Sequence, residues 1–443
     1  MVDSRETRVS PLCRRAMVFL AFIIVIAVSS IGALAGQLRA SVVKVDITPD
    51  KPQWLLGYAP RQSTGIHDHL FHRIVAMDDG KTQFYLISTD ICLASPSVYD
   101  EVTQTIEQQT GIKPSSVWWT FTHTHAAPEI GPPGMGEVFL GTRYNHDHNT
   151  EYSAWAKQQL IQGVKDARDK LQPARLVVGW GYASASINRR AHNEEGEDFL
   201  GLNPDGPVDH QIGLIRLEKA DGSLLALIAN YAMHGTALGG ENPLISGDAP
   251  GVVAEYVEEK LGAPMLYIQG AAGNQAPIYT VQKDFKAAHL DAFKVLLGDH
   301  IIAANSHLGP ASPEVELTLG QQIVESPRKE GLAWPADLGN YTRTTSAGVN
   351  MIRMPVHFLL INHDTAIWTA PLELFVEVSM GVREHSPFPY TFYFGYANGW
   401  LGYLPSKEEF ASGGYEPHVS AFTPEGGPDL ARVVETYLSG KAR

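Results

Sequence analysis

An α/β fold with mixed β-sheets flanked by helices follows from three observations on this chain of 443 residues. Short apolar runs alternate with longer amphipathic stretches from Val42 to about Tyr437, which is the signature of strands alternating with helices. Gly- and Pro-rich loops separate these segments, and neither a repeat nor a low-complexity linker interrupts them. The composition, 44% hydrophobic and 19% charged, is that of a globular chain.

In order, the apolar runs predict strands at Val42–Ile47, Arg73–Met77, Gln83–Thr89, Val117–Thr122, Arg175–Tyr182, Ile212–Leu217, Leu224–Met233, Met265–Gln269, Val356–Leu360 and Thr365–Thr369. Amphipathic spacing predicts helices at Val98–Gln109, Glu151–Leu171, Pro250–Leu261, Ala287–Asn305, Glu373–His385 and Asp429–Leu438. Ser246 or Asp248 is placed to cap the helix that begins near Pro250. Glu314 to Ala333 reads as a strand followed by a charged loop. The loops Gly131–Gly141, Gly201–Pro207, Gly270–Pro277 and Gly413–Gly427 are long, and in an α/β protein such loops more often wall a site than link domains.

Thr122-His123-Thr124-His125 closes the run that begins at Val117. Residues two apart on a strand project to one face, so the two imidazoles are expected to share a space at the strand tip, where Ala126-Ala127-Pro128 ends the element. His-x-His at such a place is a metal or proton-shuttle pattern; the plain alternative is a hydrogen-bonded pair in a turn. The near-continuous apolar run from Leu224 delivers His234 in the same manner. Thr365–Thr369 leads through Ala370-Pro371-Leu372 to Glu373, read as the opening residue of a helix, where the dipole favours a carboxylate. Tyr396 to Tyr403 is an aromatic-rich turn, and Tyr415 follows it. Two histidines, a carboxylate and an open position make a catalytic zinc set at strand ends. His146-Asp147-His148, in a polar loop with no strand to hold it, reads as surface.

The net charge of −14 argues against a nucleic-acid partner, which requires a basic stripe. Residues 1–35 have the layout of a secretory signal: Arg14 and Arg15, the apolar run Met17–Val28, and Ala33-Leu34-Ala35 as a cleavage site. Export is therefore expected, with an uncleaved anchor over Ala16–Ala35 as the alternative. Of the two cysteines, Cys13 falls in that segment and Cys92 is read as a small buried apolar residue.

Taken together, Val45-Asp46-Ile47-Thr48-Pro49, Gly65-Ile66-His67, Thr122 to His125, Asn188-Arg189, His234-Gly235-Thr236, Ile245 to Asp248, Pro371-Leu372-Glu373 and Asn398 to Tyr403 resemble the catalytic domain of the neutral, non-lysosomal ceramidases. The resemblance runs over most of residues 36–443. It implies a zinc enzyme that hydrolyses the amide of an N-acylated lipid or related acylated amine, by hydroxide generated on the metal. It assigns His123, His234, Glu373 and Tyr403 as zinc ligands, His125 and Tyr415 as catalytic groups, and His67 and Arg189 as substrate contacts. A lipid substrate also brings association with a membrane surface into view, while oligomeric state is left open.

Two departures stand out. Where the family's glycine-rich segment carries a serine before a proline, Gly270 to Pro277 has Ala276, so no serine attack is available there. The chain also stops soon after Tyr415, where the family's complete enzymes continue into an immunoglobulin-like domain. A zinc esterase and an inactive, zinc-retaining binding protein therefore stand beside the amidase reading.

Overall fold

The computed structural model describes residues 36–144, 146–279 and 289–442, so the expected signal or anchor segment lies outside the described residues. Four longer strands open the fold, β1 (Arg39–Asp46), β2 (Phe71–Asp78), β3 (Gln83–Thr89) and β4 (Val117–Phe121), with helices α1 (Pro96–Thr110), α2 (Met135–Leu140) and α3 (Thr150–Asp169) interleaved or following. Next come β5 (Gln172–Tyr182), β6 (Ser186–His192), β7 (Asp198–Asn203), β8 (Gln211–Lys219), β9 (Leu224–Tyr231), α4 (Asp248–Leu261), β10 (Met265–Gln269) and the short β11 (Gln275–Pro277). The C-terminal part holds β12 (Leu317–Pro327), β13 (Asn350–Ile361), β14 (Thr365–Thr369), β15 (Glu373–Leu374), α5 (Val376–His385), β16 (Tyr390–Phe394), β17 (Tyr403–Leu404), α6 (Tyr415–His418) and α7 (Gly426–Lys441).

An eight-stranded mixed sheet has the order β10-β9-β8-β5-β1-β2-β3-β4, and a five-stranded sheet carries β12-β13-β14-β16 with Thr342–Thr344 added beside β13. The two pack face to face, and Val75, Phe84, Leu86, Trp118 and Ile228 share a core with Leu359, Ile367 and Phe392. Strand alternation sends the next residues the other way: Ile74, Tyr85, Ile87 and Trp119 pack on Val98, Val102 and Ile106 of α1 and on Ala156, Leu160 and Val164 of α3. Further along that face, Leu214, Leu227 and Ala229 meet Val253 and Val257 of α4. On the outer face of the second sheet, Val356, Phe358 and Trp368 pack on Val382 of α5 and Leu430, Val434 and Leu438 of α7. The result is helices on both sides of two stacked sheets, as the mixed α/β expectation requires.

All ten expected strands fall on observed ones, and the strand expected after Glu314 is β12. Three expectations need correction. Glu373 does not open a helix; its N–H donates to Gly402 O (3.1 Å) and the Phe375 N–H to Leu404 O (3.1 Å), a parallel ladder between β15 and β17, and the helix begins only at Val376. The helix expected over Ala287–Asn305 has no described residue before His289; Leu290–Phe293 and His300–Ser306 are α-helical, with a π turn at Lys294–Asp299 between them. At the start of α4 neither expected residue is the cap: the N-cap is Gly247, with no side-chain cap bond, while just beside it Ser246 Oγ accepts the Asp248 N–H (2.9 Å) and Asp248 Oδ1 accepts the Ala249 N–H (2.7 Å).

Candidate metal centre

Strand β4 ends at Phe121, before the histidines, and His123 takes a left-handed φ of 60°. Strand alternation therefore does not carry His123 and His125 to one face. The chain is held by Thr122 N–H to Thr89 O (3.0 Å) and His123 N–H to Ile91 O (2.9 Å), and the two rings still meet, with Nε2 atoms 3.2 Å apart. A strained non-glycine conformation of this kind persists only where its surroundings over-determine it, which is typical of functional sites.

His123 Nδ1 lies 2.8 Å from the Cys92 carbonyl oxygen. A carbonyl only accepts, so Nδ1 carries the hydrogen and the Nε2 lone pair points away from it. His234, just beyond β9, repeats the arrangement with Nδ1 2.6 Å from Ala272 O in the Gly270–Pro277 loop. The two free Nε2 atoms converge on one oxygen, Glu373 Oε2, each at 3.1 Å. His234 Nε2 is buried and makes no hydrogen bond. Orienting a ring through Nδ1–H to a backbone carbonyl, with Nε2 left free, is the arrangement of metal-bound histidines.

Glu373 is itself fixed: Trp400 Nε1–H donates to Oε1 (2.9 Å) and the Tyr396 hydroxyl to Oε2 (3.2 Å). The β15–β17 register sets Tyr403 directly opposite Glu373. The Tyr403 hydroxyl accepts from Arg189 Nη2 (3.2 Å), while Arg189 Nε donates to Glu416 Oε1 (2.8 Å). The Tyr415 ring stands edge-on to Tyr403 at 5.9 Å between centroids. His67 is placed differently: its half-exposed imidazole is bonded to Asp68 Oδ2 (2.7 Å), and Asp68 binds Gly247 N–H (2.7 Å) and the Ser246 hydroxyl.

Charge at the cluster fits a cation. Burial works against the Glu373 carboxylate, yet the facing His123 and His234 hold its pKa well below the usual carboxylate range. Burial also penalises the His123 imidazolium, but Glu373 and Cys92 outweigh it and push that ring up to about 10; burial and the Arg189 charge push His234 down to about 3. Burial, followed by the charges of His123 and His234, lowers His125 well below the ordinary histidine value. One buried carboxylate thus faces two ring nitrogens, and a divalent ion would satisfy all three groups.

A pocket opens on this cluster, lined by His123, His125, Glu373, Tyr403 and Tyr415 together with Leu56, Leu93, Phe139, Leu140, Trp400 and Val419. Of the four loops expected to wall a site, Gly131–Gly141 contributes Phe139 and Leu140, Gly413–Gly427 contributes Tyr415 and Val419, and Gly270–Pro277 holds His234. Among the described residues, a second group of possible metal donors is Cys92, His123 and His125, sharing His123 with the first. His148 belongs to neither; its ring bonds to Glu129 (3.1 Å) and Glu137 (3.4 Å). Sequence reading missed Tyr396 and Trp400, taken only as members of an aromatic turn, and it missed the Cys92 carbonyl, because that residue was read for its side chain alone.

The sequence profile described as "Neutral/alkaline non-lysosomal ceramidase, N-terminal" matches residues 40–291. Neutral ceramidase A of Dictyostelium discoideum is 30% identical over 226 residues, 48% of this chain and 31% of that protein. Neutral ceramidase of Pseudomonas aeruginosa is 25% identical over 252 residues, 54% of this chain and 37% of that protein. The match thus spans about a third of the length of these relatives. In structure, the neutral ceramidase of Pseudomonas aeruginosa superimposes with a TM-score of 0.72 at 18% identity, over 90% of this chain and 73% of that one. A structure described as ceramidase complexed with C2 gives a TM-score of 0.71 at 18% identity, over 92% of this chain and 75% of that one.

Proposed function

This chain belongs to the neutral/alkaline non-lysosomal ceramidase family, and from that premise we propose that it is an exported zinc-dependent amidohydrolase of N-acylated lipids or related acylated amines. The observation that carries the reading is the convergence of His123 Nε2 and His234 Nε2 on Glu373 Oε2, each at 3.1 Å and each ring locked through Nδ1. His123, His234 and Glu373 would hold the ion, with Tyr403 as a further, weaker ligand. Bound zinc lowers the pKa of a coordinated water to about 7 and polarises a carbonyl oxygen.

The remaining work falls to the protein. His125, kept neutral by burial and by its histidine neighbours, accepts or relays a proton beside the cluster. The Tyr415 hydroxyl, in the same pocket, steadies the developing oxyanion or returns a proton to the leaving amine. Arg189 orients the Tyr403 hydroxyl by donating to it and contacts substrate from that side; His67, half-exposed and bonded to Asp68, is the second substrate contact of this reading. Leu93, Phe139, Leu140 and Val419 supply an apolar wall beside the cluster. Ala276 offers no nucleophile, so attack does not depend on a serine at that position. Among the described residues no helix is long and apolar enough to cross a membrane, and a lipid substrate would be met at the membrane surface.

The test compares hydrolysis of N-acyl sphingosines, N-acyl amino acids and simple esters by the purified protein and by His123→Ala. Amide cleavage that disappears with His123→Ala supports the reading. Cleavage of esters alone makes the protein an esterase, and zinc binding without any turnover makes it a binding protein.

A further inference from the structure

Gly57 and Tyr58 lie outside every motif that points to the site, yet both press on His125. The His125 backbone is fixed at both ends: its N–H donates to Gly235 O (2.9 Å), and its carbonyl accepts from Arg61 Nη2. Arg61 is in turn anchored by Nε to Asn242 O (2.8 Å), and its guanidinium carbon sits 5.1 Å from the Tyr58 ring centroid. The Tyr58 ring meets His125 edge-on at 4.8 Å, and His123 meets it at 4.8 Å, so the imidazole is walled by both. Gly57 has φ of 111°, and a Cβ built there would lie 2.5 Å from both Cγ and Nδ1 of His125. No side chain fits that gap while the ring stays in place.

We propose that Gly57 and Tyr58 are positioning residues that seat the His125 imidazole against the His123–His234–Glu373 cluster, Gly57 by leaving room for the ring and Tyr58 by walling its edge. With the His125 backbone bonded at both ends, a Cβ at position 57, 2.9 Å from the His125 Cβ and closer to the ring, displaces the imidazole away from His123 Nε2, now 3.2 Å off. The effect on turnover rests on the reading above that His125 handles the proton.

Two readouts separate the seat from the chemistry. In the full chain labelled with 15N-histidine, the ring resonances absent from His125→Ala should shift in Gly57→Ala; unchanged resonances overturn the proposal. In turnover, Gly57→Ala should keep its zinc and lose at least tenfold in kcat, with KM little changed. Gly57→Ala added to His125→Ala should cost no further kcat, because the ring that the Cβ strikes is gone, while the φ of 111° and the 2.9 Å approach to the remaining His125 Cβ still cost stability, which urea unfolding reads separately; additive losses in kcat place the effect of Gly57 elsewhere and overturn the proposal. If His125→Ala itself turns over normally while the resonances still shift, the seat stands and the catalytic reading of His125 falls. Should Gly57→Ala not fold, Tyr58→Ala and Tyr58→Phe decide: loss of kcat in the first and recovery in the second support the wall, and equal kcat in both removes it.

Discussion

His125 Nε2 sits 3.2 Å from His123 Nε2, although of these two rings His123 is the one that faces Glu373 at bonding distance. The neighbours thus divide into a ring whose Nε2 enters the candidate ion site and a ring beside it. Loss of a ligand should remove metal and activity together, whereas loss of a proton-handling neighbour should spare the metal. We expect His125→Ala to retain zinc by elemental analysis and to fall about 10² to 10⁴ in kcat. Release of zinc as complete as in His123→Ala would make both histidines ligands.

For the ligands themselves, the purified protein should contain one zinc per chain, and His234→Ala or Glu373→Gln should abolish it. His234→Ala leaves only His123 and Glu373 facing each other, and Glu373→Gln leaves the two rings facing a neutral amide, so neither variant keeps the full donor set. Elemental analysis after dialysis checks this, and full occupancy in either variant moves the site elsewhere.

Trp400 tests the support behind the ligand. Its Nε1–H is bonded to Glu373 Oε1 (2.9 Å), and Trp400→Phe keeps an aromatic ring, though a smaller one, while removing that donor. Loss of an outer hydrogen bond of this kind lowers metal affinity about 10- to 100-fold. Competition with a chromophoric chelator measures it, and unchanged affinity would mean that Tyr396 alone orients the carboxylate.

Ala276 is buried in β11, opposite Ile187 of β6. If attack needs no serine, Ala276→Ser should change the ratio of kcat/KM between amide substrates rather than create hydrolysis. An inert parent made active by the added hydroxyl would refute serine-independent attack.

How far the sequence carried these conclusions varied with the length of the signal. The sheets were legible because apolar runs such as Val117–Phe121 repeat over several residues, and adjacent Trp118 and Trp119 do fill cores on opposite faces of the sheet. Glu373 was misread because its strand has two residues, too few to show a period, and the amphipathic helix after it absorbed the pattern. The pairing of His123 and His125 was anticipated for a reason the backbone does not obey; a left-handed residue leaves no period-two trace. The Cys92 carbonyl, 31 positions from His123, holds the ring through main-chain atoms that every residue type carries.

Outside the site, His72 gives stability a defined pH dependence. Its Nε2–H donates to Ala156 O (3.0 Å), and its Nδ1 accepts from Thr89 Oγ1 (2.8 Å), which itself accepts Trp119 Nε1–H (2.8 Å). The neutral ring is therefore fully bonded, and burial lowers its pKa from 6.5 to about 4. Between those values the unfolded chain binds the extra proton and the folded chain does not, so stability falls as pH drops from about 6.5 to about 4 and is level below. The depression corresponds to on the order of 3 kcal/mol. His357, also lowered to about 4 by burial, adds a slope of the same sign, so the comparison must be with His72→Gln rather than with zero. Urea unfolding at several pH values should show a shallower acid loss in His72→Gln than in the parent, by up to one proton. Parallel curves would mean that His72 is protonated in the native state, with the Thr89 hydroxyl turned to accept from Nδ1.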